Sequence, residues 1–263
     1  MNAVATPVIV ERRGNIAIVR LNRPEARNAM NMALANGIEA AVDEIEADPA
    51  IRCAVLCANS EGQSDPIFCA GADLKALQRG EPPPLTPRGH FGGFVFRQRE
   101  TPFVAAVEGA AIAGGCEMAL ACDVIVASRR ARFAMPEVSR NLFAGAGAAF
   151  RLPALVGRGV ALDPLLSTDP ISAERAWQLG MVSRLAEEGG AEVLAIEVAE
   201  HIAAQAPLAV QWTRRVVLAT DDGDMGEVER LSADALAALG ASEDRKEGLA
   251  AFAERRAPQW TGR

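Results

Sequence analysis

Residues 103–126, FVAAVEGAAIAGGCEMALACDVIV, decide the class of fold. Segments 103–107 and 124–126 are short apolar runs bounded by turn residues, the pattern of strands buried on both faces. Between them Gly114 and Gly115 open a second apolar run, 118–122, which reads as a short buried helix. A strand, a helix and a strand in succession imply an α/β architecture, with right-handed crossovers wherever the strands run parallel. Further buried strands are expected at 16–21 and 53–57. Met30, Leu34, Ile38, Ala41 and Ile45 recur at helical spacing, so this segment reads as an amphipathic helix that Asp48-Pro49 ends.

Beyond about Pro153 the strand signals thin out. Helical patterns follow at 172–179, 191–204, 208–219, 228–239 and 243–256, so the second half is mostly helical. In the last of these, Glu243 and Asp244 open the helix and Arg255 and Arg256 close it, as the helix dipole favours; Leu249 and Phe252 share one face. The segment 79–89 contains Pro82, Pro83, Pro84 and Pro87, which exclude a helix or a central strand and imply an exposed loop. The strand starts at 16, 53, 103 and 124 are unevenly spaced, against a simple solenoid.

The chain has 263 residues, half of them apolar and 23% charged, enough for a substantial core and unlike disordered or low-complexity sequences. Its 27 basic and 34 acidic residues give a net charge of −7, which opposes general attraction to nucleic acid or anionic lipid. No apolar run reaches membrane-spanning length, and 1–11 lacks the pattern of a signal peptide. Cys53, Cys57, Cys69, Cys116 and Cys122 are odd in number and lie on apolar segments, which suits free thiols in the cytoplasm.

Three segments are candidates for chemistry. In 68–75, small residues precede a short helix. That is either an ordinary loop or a way to present backbone N–H groups to a ligand. Gly114-Gly115 would likewise expose amides at a helix start, with Glu117 in the first turn. If that helix is buried, Glu117 must be hydrogen-bonded, paired or protonated; if not, it is a solvated carboxylate favouring the helix dipole. Glu137 follows Pro136, an ordinary helix start, yet Phe133, Met135, Leu142 and Phe143 around it are apolar and would raise its pKa. Two glutamates in different surroundings make an acid/base pair conceivable.

Several other chemistries lack their residues. His90 and His201 are the only histidines, and no Cys or His pair has zinc-like spacing, so no metal site is expected. His201 reads as a structural residue at a helix edge. The sequence has no Gly-x-Ser-x-Gly elbow and no Walker-type loop. Gly145 and Gly147 supply only two glycines of a dinucleotide fingerprint and follow no clear strand. Trp177, Trp212 and Trp260 are dispersed over helices, where packing is their expected role.

Taken in order, Leu21-Asn22-Arg23-Pro24 with Asn28-Ala29, Ala70-Gly71-Ala72-Asp73-Leu74-Lys75, Gly114-Gly115-Cys116-Glu117 and Pro136-Glu137 resemble the crotonase (enoyl-CoA hydratase/isomerase) family. The resemblance continues through Gly145-Ala146-Gly147 and Arg151-Leu152-Pro153 to Ser242–Gly248, Phe252 and Arg255, and spans about 8–256. It implies an α/β fold, a crotonase-like spiral of ββα units over 1–190, with a helical oligomerisation region over 191–263 that builds homotrimers, commonly paired into hexamers. The implied ligand is an acyl-CoA thioester, with coenzyme A entering as part of the substrate and no separate cofactor. The amides of Ala72 and Gly114 would form an oxyanion hole for the thioester carbonyl. Ala29, Ala70 and Leu74 match positions at the nucleotide end of CoA. Phe252 and Arg255 match residues near the adenine, contributed in some assemblies by a neighbouring subunit. Asp73 and Lys75 belong to the same CoA-binding motif, with a purely structural role for their side chains as the alternative.

The resemblance implies hydration of an α,β-unsaturated thioester, with Glu117 activating water at the β-carbon and Glu137 exchanging the proton at the α-carbon. Ala113 stands where the family carries a third glycine, Ala144 where proline is usual, and 148–150 where a more polar Gly-Thr-Gln is common. These positions border the acyl site and leave chain-length preference open. Segment 79–89, followed by Phe91, Phe94 and Phe96, falls where the family varies, and is expected to act as a mobile lid. Alternatives are an isomerase, which needs mainly one glutamate, a specialised dehydratase such as one acting on carnitinyl-CoA, a non-catalytic acyl-CoA-binding protein and a nicotinamide-dependent oxidoreductase.

Overall fold

Strand alternation splits the apolar residues of the central strands between two faces, and the fold covers both. The computed structural model describes residues 6–220 and 223–263. An antiparallel pair, β1 (Val8–Arg13) and β2 (Ile16–Leu21), leads into α1 (Met32–Ala47). The first turn of the spiral is β3 (Cys53–Ala58), β4 (Ile67–Cys69) and α2 (Leu74–Gln78), followed by a small hairpin of β5 (Leu85–Thr86) and β6 (His90–Phe91). The second is β7 (Phe103–Val107), β8 (Ala110–Ile112) and α3 (Gly114–Leu120). The third is β9 (Val124–Ser128), β10 (Arg132–Ala134), a 3-10 turn over Glu137–Arg140, α4 (Ala148–Val156) and α5 (Arg158–Ser167). Then come β11 (Ile171–Ser172), α6 (Ala173–Gln178), β12 (Arg184–Ala186) and the helices α7 (Ala191–Ala203), α8 (Pro207–Ala219), α9 (Met225–Ala241) and α10 (Glu243–Glu254).

Each turn lays its first strand in one sheet and its second in another. The larger sheet runs β1-β2-β3-β7-β9-β12, with only β1 antiparallel to its neighbour; the smaller runs β11-β10-β8-β4, with only β11 antiparallel. This is the α/β spiral of ββα units. On one face of the larger sheet, Val19, Leu21, Leu56, Phe103 and Ala105 join α1, Phe68 and Phe133 in the main core. On the other, Ile16, Ile18, Val55, Val104 and Val126 are covered by Ala195, Ile196, Ala199 and Ala203 of α7. Fully buried side chains such as Phe94, Phe103 and Phe133 each contribute roughly 2–3 kcal/mol by leaving water. All five cysteines are free thiols. Among the described residues no single helix is long and apolar enough to cross a membrane.

Three expectations change. Met30 precedes α1, whose N-cap is Asn31, and instead pairs with Ala72 in an isolated parallel bridge. Segment 79–89 is not wholly an exposed loop: Pro84, Thr86 and Gly89 are buried, and the Glu39 carboxylate on α1 accepts from the Thr86 hydroxyl (2.6 Å) and the amides of Arg88 (3.1 Å) and Gly89 (3.0 Å). Phe91 and Phe94 belong to the core, while Phe96 is exposed. The cause is the close approach of Gly93 to α1, where a Cβ would fall 2.3 Å from the Ala35 carbonyl oxygen. Helices α8 and α9 contain no buried residue, and Val217, Leu236, Leu249 and Phe252 are exposed.

Candidate active site

Two backbone segments meet at the site. Arg27 and Asn28 adopt left-handed conformations (φ 54° and 51°), which asparagine tolerates better than most residues. Buried Asn28 locks the turn: its Nδ2 donates to the carbonyls of Asn59 (2.8 Å) and Ile67 (3.1 Å), and its Oδ1 accepts from the Arg23 amide (2.9 Å). The chain then runs beside residues 70–73, where Met30 N–H donates to Gly71 O (2.7 Å) and Asp73 N–H to Met30 O (2.8 Å). In such a parallel bridge the intervening residue faces the other way, so the Ala72 amide points away from Met30.

The second segment is the start of α3. Gly114 is its first residue, and its amide precedes the intrahelical ladder. The preceding Ala113 is held at φ 51°, ψ −126°, a region almost confined to glycine, while its amide donates to Ala134 O (2.7 Å). Glycines let the segments close on one another. A Cβ on Gly71 would lie 2.9 Å from Ala113 Cβ and 3.4 Å from the Gly114 nitrogen, and one on Gly115 would lie 2.2 Å from Cys69 O. The amides of Ala72 and Gly114 therefore belong to adjoining backbones.

Glu117 lies one helical step inside α3 and is 3% exposed. Its Oε1 accepts from the Ala148 amide (3.1 Å), the first N–H of α4, so the carboxylate caps that helix. Burial pushes its pKa up to about 7; the Ala148 amide opposes the rise and the charge of Glu137 adds to it. Glu137 opens the 3-10 turn after Pro136, which is its N-cap rather than its first residue. Both carboxyl oxygens of Glu137 are buried without a hydrogen-bond partner among the described residues. Its pKa is also raised by burial, with its own backbone amide and Arg140 opposing. Phe133 and Met135 are fully buried, but Leu142 and Phe143 are exposed, so the apolar surroundings of Glu137 come from the core side alone.

The remaining predicted positions divide. Ala29 and Ala70 are half-buried in the two paired segments, and Leu74 and Lys75 are exposed on α2. The Asp73 carboxylate caps α2 at the Ala76 amide (3.1 Å) and pairs with Arg23 (3.2 Å). Burial would raise its pKa, but these partners outweigh it and hold it below the usual range. Both carboxylate oxygens of Asp73 are thus engaged within the fold. Phe252 is 86% exposed and Arg255 caps the end of α10; no hydrogen bond or ion pair among the described residues joins them to 70–75. His201 Nδ1 meets Glu197 O (2.8 Å) in its own helix, and no group of three potential metal ligands occurs among the described residues. A groove of about 470 Å³ between α5, β11 and α6, lined by Val160, Asp163, Ile171 and Arg175, contains neither glutamate.

Sequence reasoning placed Phe91 only beside the expected lid and did not foresee that its ring lies where a Cβ on Gly114 would be (2.2 Å), and it assigned no role to the Ala148 amide or to Arg151. The Phe91 and Ala148 contacts are long-range and leave no local pattern. Arg151 had one signal, its place in the Arg151-Leu152-Pro153 motif.

The family described as Enoyl-CoA hydratase/isomerase matches residues 11–263. A short-chain-enoyl-CoA hydratase of Clostridium acetobutylicum is 33% identical, over 95% of each chain. Among solved structures, an enoyl-CoA hydratase of Mycobacterium tuberculosis H37Rv is 42% identical with a TM-score of 0.91, covering 98% of this chain and 100% of that one. A carnitinyl-CoA hydratase of Mycobacterium avium is 39% identical with a TM-score of 0.78, over 99% and 100%.

Proposed function

The chain belongs to the enoyl-CoA hydratase/isomerase family, and on that premise we propose that it adds water across the double bond of an α,β-unsaturated acyl-CoA, reversibly. The observation that supports this most is the pairing of Glu137, whose buried carboxyl oxygens have no hydrogen-bond partner among the described residues, with a second buried glutamate, Glu117.

The thioester carbonyl accepts from the amides of Ala72 and Gly114, which stabilise the enolate-like charge that develops as the β-carbon is attacked. Ionised Glu117, fixed by the Ala148 amide, takes a proton from water while the water oxygen bonds to the β-carbon. Protonated Glu137 delivers its proton to the α-carbon. The product is a 3-hydroxyacyl-CoA; the proton held by Glu117 returns to Glu137 or to solvent for the next turnover. A pKa near 7 suits a group that must gain and lose a proton near neutrality.

Isomerisation of a β,γ-enoyl-CoA requires one proton shuttle, so the buried, helix-capping Glu117 favours hydration or its reverse, including dehydration of a specialised 3-hydroxyacyl-CoA. Exposed Leu236, Leu249 and Phe252 on α9 and α10 support assembly into a homotrimer or a hexamer, in which Phe252 and Arg255 reach a neighbouring subunit's nucleotide site. The test is loss of the conjugated enoyl-thioester absorbance with crotonyl-CoA and longer enoyl-CoAs. Turnover by the wild type that Glu137→Gln abolishes supports the reading; wild-type turnover that Glu137→Gln leaves intact contradicts it.

A further inference from the structure

Glu117 rests on the first amide of α4, so whatever fixes the start of α4 also fixes the carboxylate. One turn along, Arg151 reaches back over that start. Its Nη1 donates to Ala146 O (3.2 Å) and its Nη2 to Val95 O (2.5 Å). Its guanidinium lies 5.4 Å from the centroid of Phe96 and 4.9 Å from that of Phe150, two rings 15° from parallel and 6.1 Å apart. The side chain folds across Gly147, where a Cβ would fall 1.9 Å from Nη1. One guanidinium thus ties α4, the turn that supplies the Ala148 amide, and the segment that continues from Phe91, whose ring abuts Gly114.

Resting on the hydratase reading, we propose that Arg151 is a positioning residue for Glu117: it holds the Ala148 amide against the carboxylate and supplies the positive charge that favours the ionised form. The groups facing Glu117 are Glu137 from the 3-10 turn, Cys116 on its own helix, the amides of Ala146 and Ala148, and Arg151. Cys116 is a buried thiol whose pKa is raised, so it stays neutral. Glu137 opposes ionisation of Glu117, and Arg151 is the cation in the set. The forked bonds to two backbone carbonyls need a planar guanidinium, which lysine cannot reproduce.

The test compares wild type, Arg151→Met and Arg151→Lys by pH profiles of kcat and KM with crotonyl-CoA, and by ¹³C NMR titration of the Glu117 carboxyl without substrate, assigned with Glu117→Gln. Methionine fills similar volume without charge. For Arg151→Met we expect a loss of roughly 3–10-fold in kcat on the acid side that is recovered only in part at high pH, because the fork is lost too, with KM little changed, and a matching upward shift of the Glu117 titration. Lysine should restore part of the acid limb while kcat stays below wild type, because the fork is lost. An unshifted acid limb with a uniform drop, or an unmoved Glu117 titration, overturns the proposal. Should Arg151→Met fail to fold, Arg151→Gln, still able to donate to one carbonyl, takes its place. Absence of wild-type turnover together with a shifted Glu117 titration refutes the hydratase reading and leaves the positioning role standing.

Discussion

Replacing Glu117 by glutamine should remove activity and raise stability, and the gain should depend on pH in a defined direction. The carboxyl is 3% exposed, and its pKa is raised from 4.5 to about 7, first by burial. A group whose folded pKa exceeds its unfolded one binds protons more readily when folded, so stability falls as pH rises between those values. With about 1.4 kcal/mol per pKa unit, ionised Glu117 costs the fold roughly 3 kcal/mol above pH 7 and almost nothing below pH 4. Glutamine keeps an oxygen to accept from Ala148 and carries no charge. At pH 8 Glu117→Gln should therefore melt about 5–10 °C above wild type at equal protein concentration. The difference should shrink steadily as pH falls through the interval and vanish near pH 4. A difference that is constant with pH, or a variant less stable at pH 8, would falsify the burial argument.

Glu137→Gln should lower hydration on the order of a thousandfold with no loss of thermal stability, since an unpartnered buried carboxyl is replaced by a neutral amide; a clear drop in melting temperature would show that the carboxyl has partners. Ala113→Gly should stabilise by about 1 kcal/mol, the relief of a positive-φ strain less the added chain entropy, and denaturant titration showing no gain would refute the strain. Gly71→Ala adds a Cβ at φ 82° and 2.9 Å from Ala113 Cβ, so it should destabilise by about 2 kcal/mol and lower kcat more than it changes KM; an unchanged kcat would mean that the Ala72 and Gly114 amides do not act together. Glu39→Ala frees the hairpin, so hydrogen exchange at Arg88 and Gly89 should accelerate in the variant while wild type stays protected; rapid exchange in wild type would show that these bonds do not hold the segment and support a mobile lid.

The four central strands of the larger sheet, β2, β3, β7 and β9, were legible because each is a largely apolar run, whereas β1 and β12, which carry charged residues, were not. Phe103–Val107 begins and ends as the sequence indicates, and β3 and β9 extend only one and two residues further. The strands of the smaller sheet were not. β4, β8 and β10 have three residues each, too few to show a period, and the hairpin between the first two turns conceals the spiral's repeat. Helices α4 and α5 escaped; each carries an internal proline, Pro153 and Pro164, that interrupts its helical pattern.

At the site, Glu117 and Glu137 were readable as a pair because charged residues among apolar neighbours stand out. What could not be read was how each is held. The Ala148 amide that caps Glu117 is 31 residues away, and the bridge that turns the Ala72 amide outward depends on Met30, which the sequence places on a helix face. Leu142 and Phe143 misled in the other direction, since apolar neighbours in sequence proved exposed in space.

The most direct test of the central claim is mass analysis of the product formed from crotonyl-CoA in water enriched in both ¹⁸O and deuterium. The account predicts one heavy oxygen on the β-carbon and one deuterium on the α-carbon, with both labels lost in Glu137→Gln. Deuterium without heavy oxygen would contradict hydration and assign the glutamates to a proton shuttle alone.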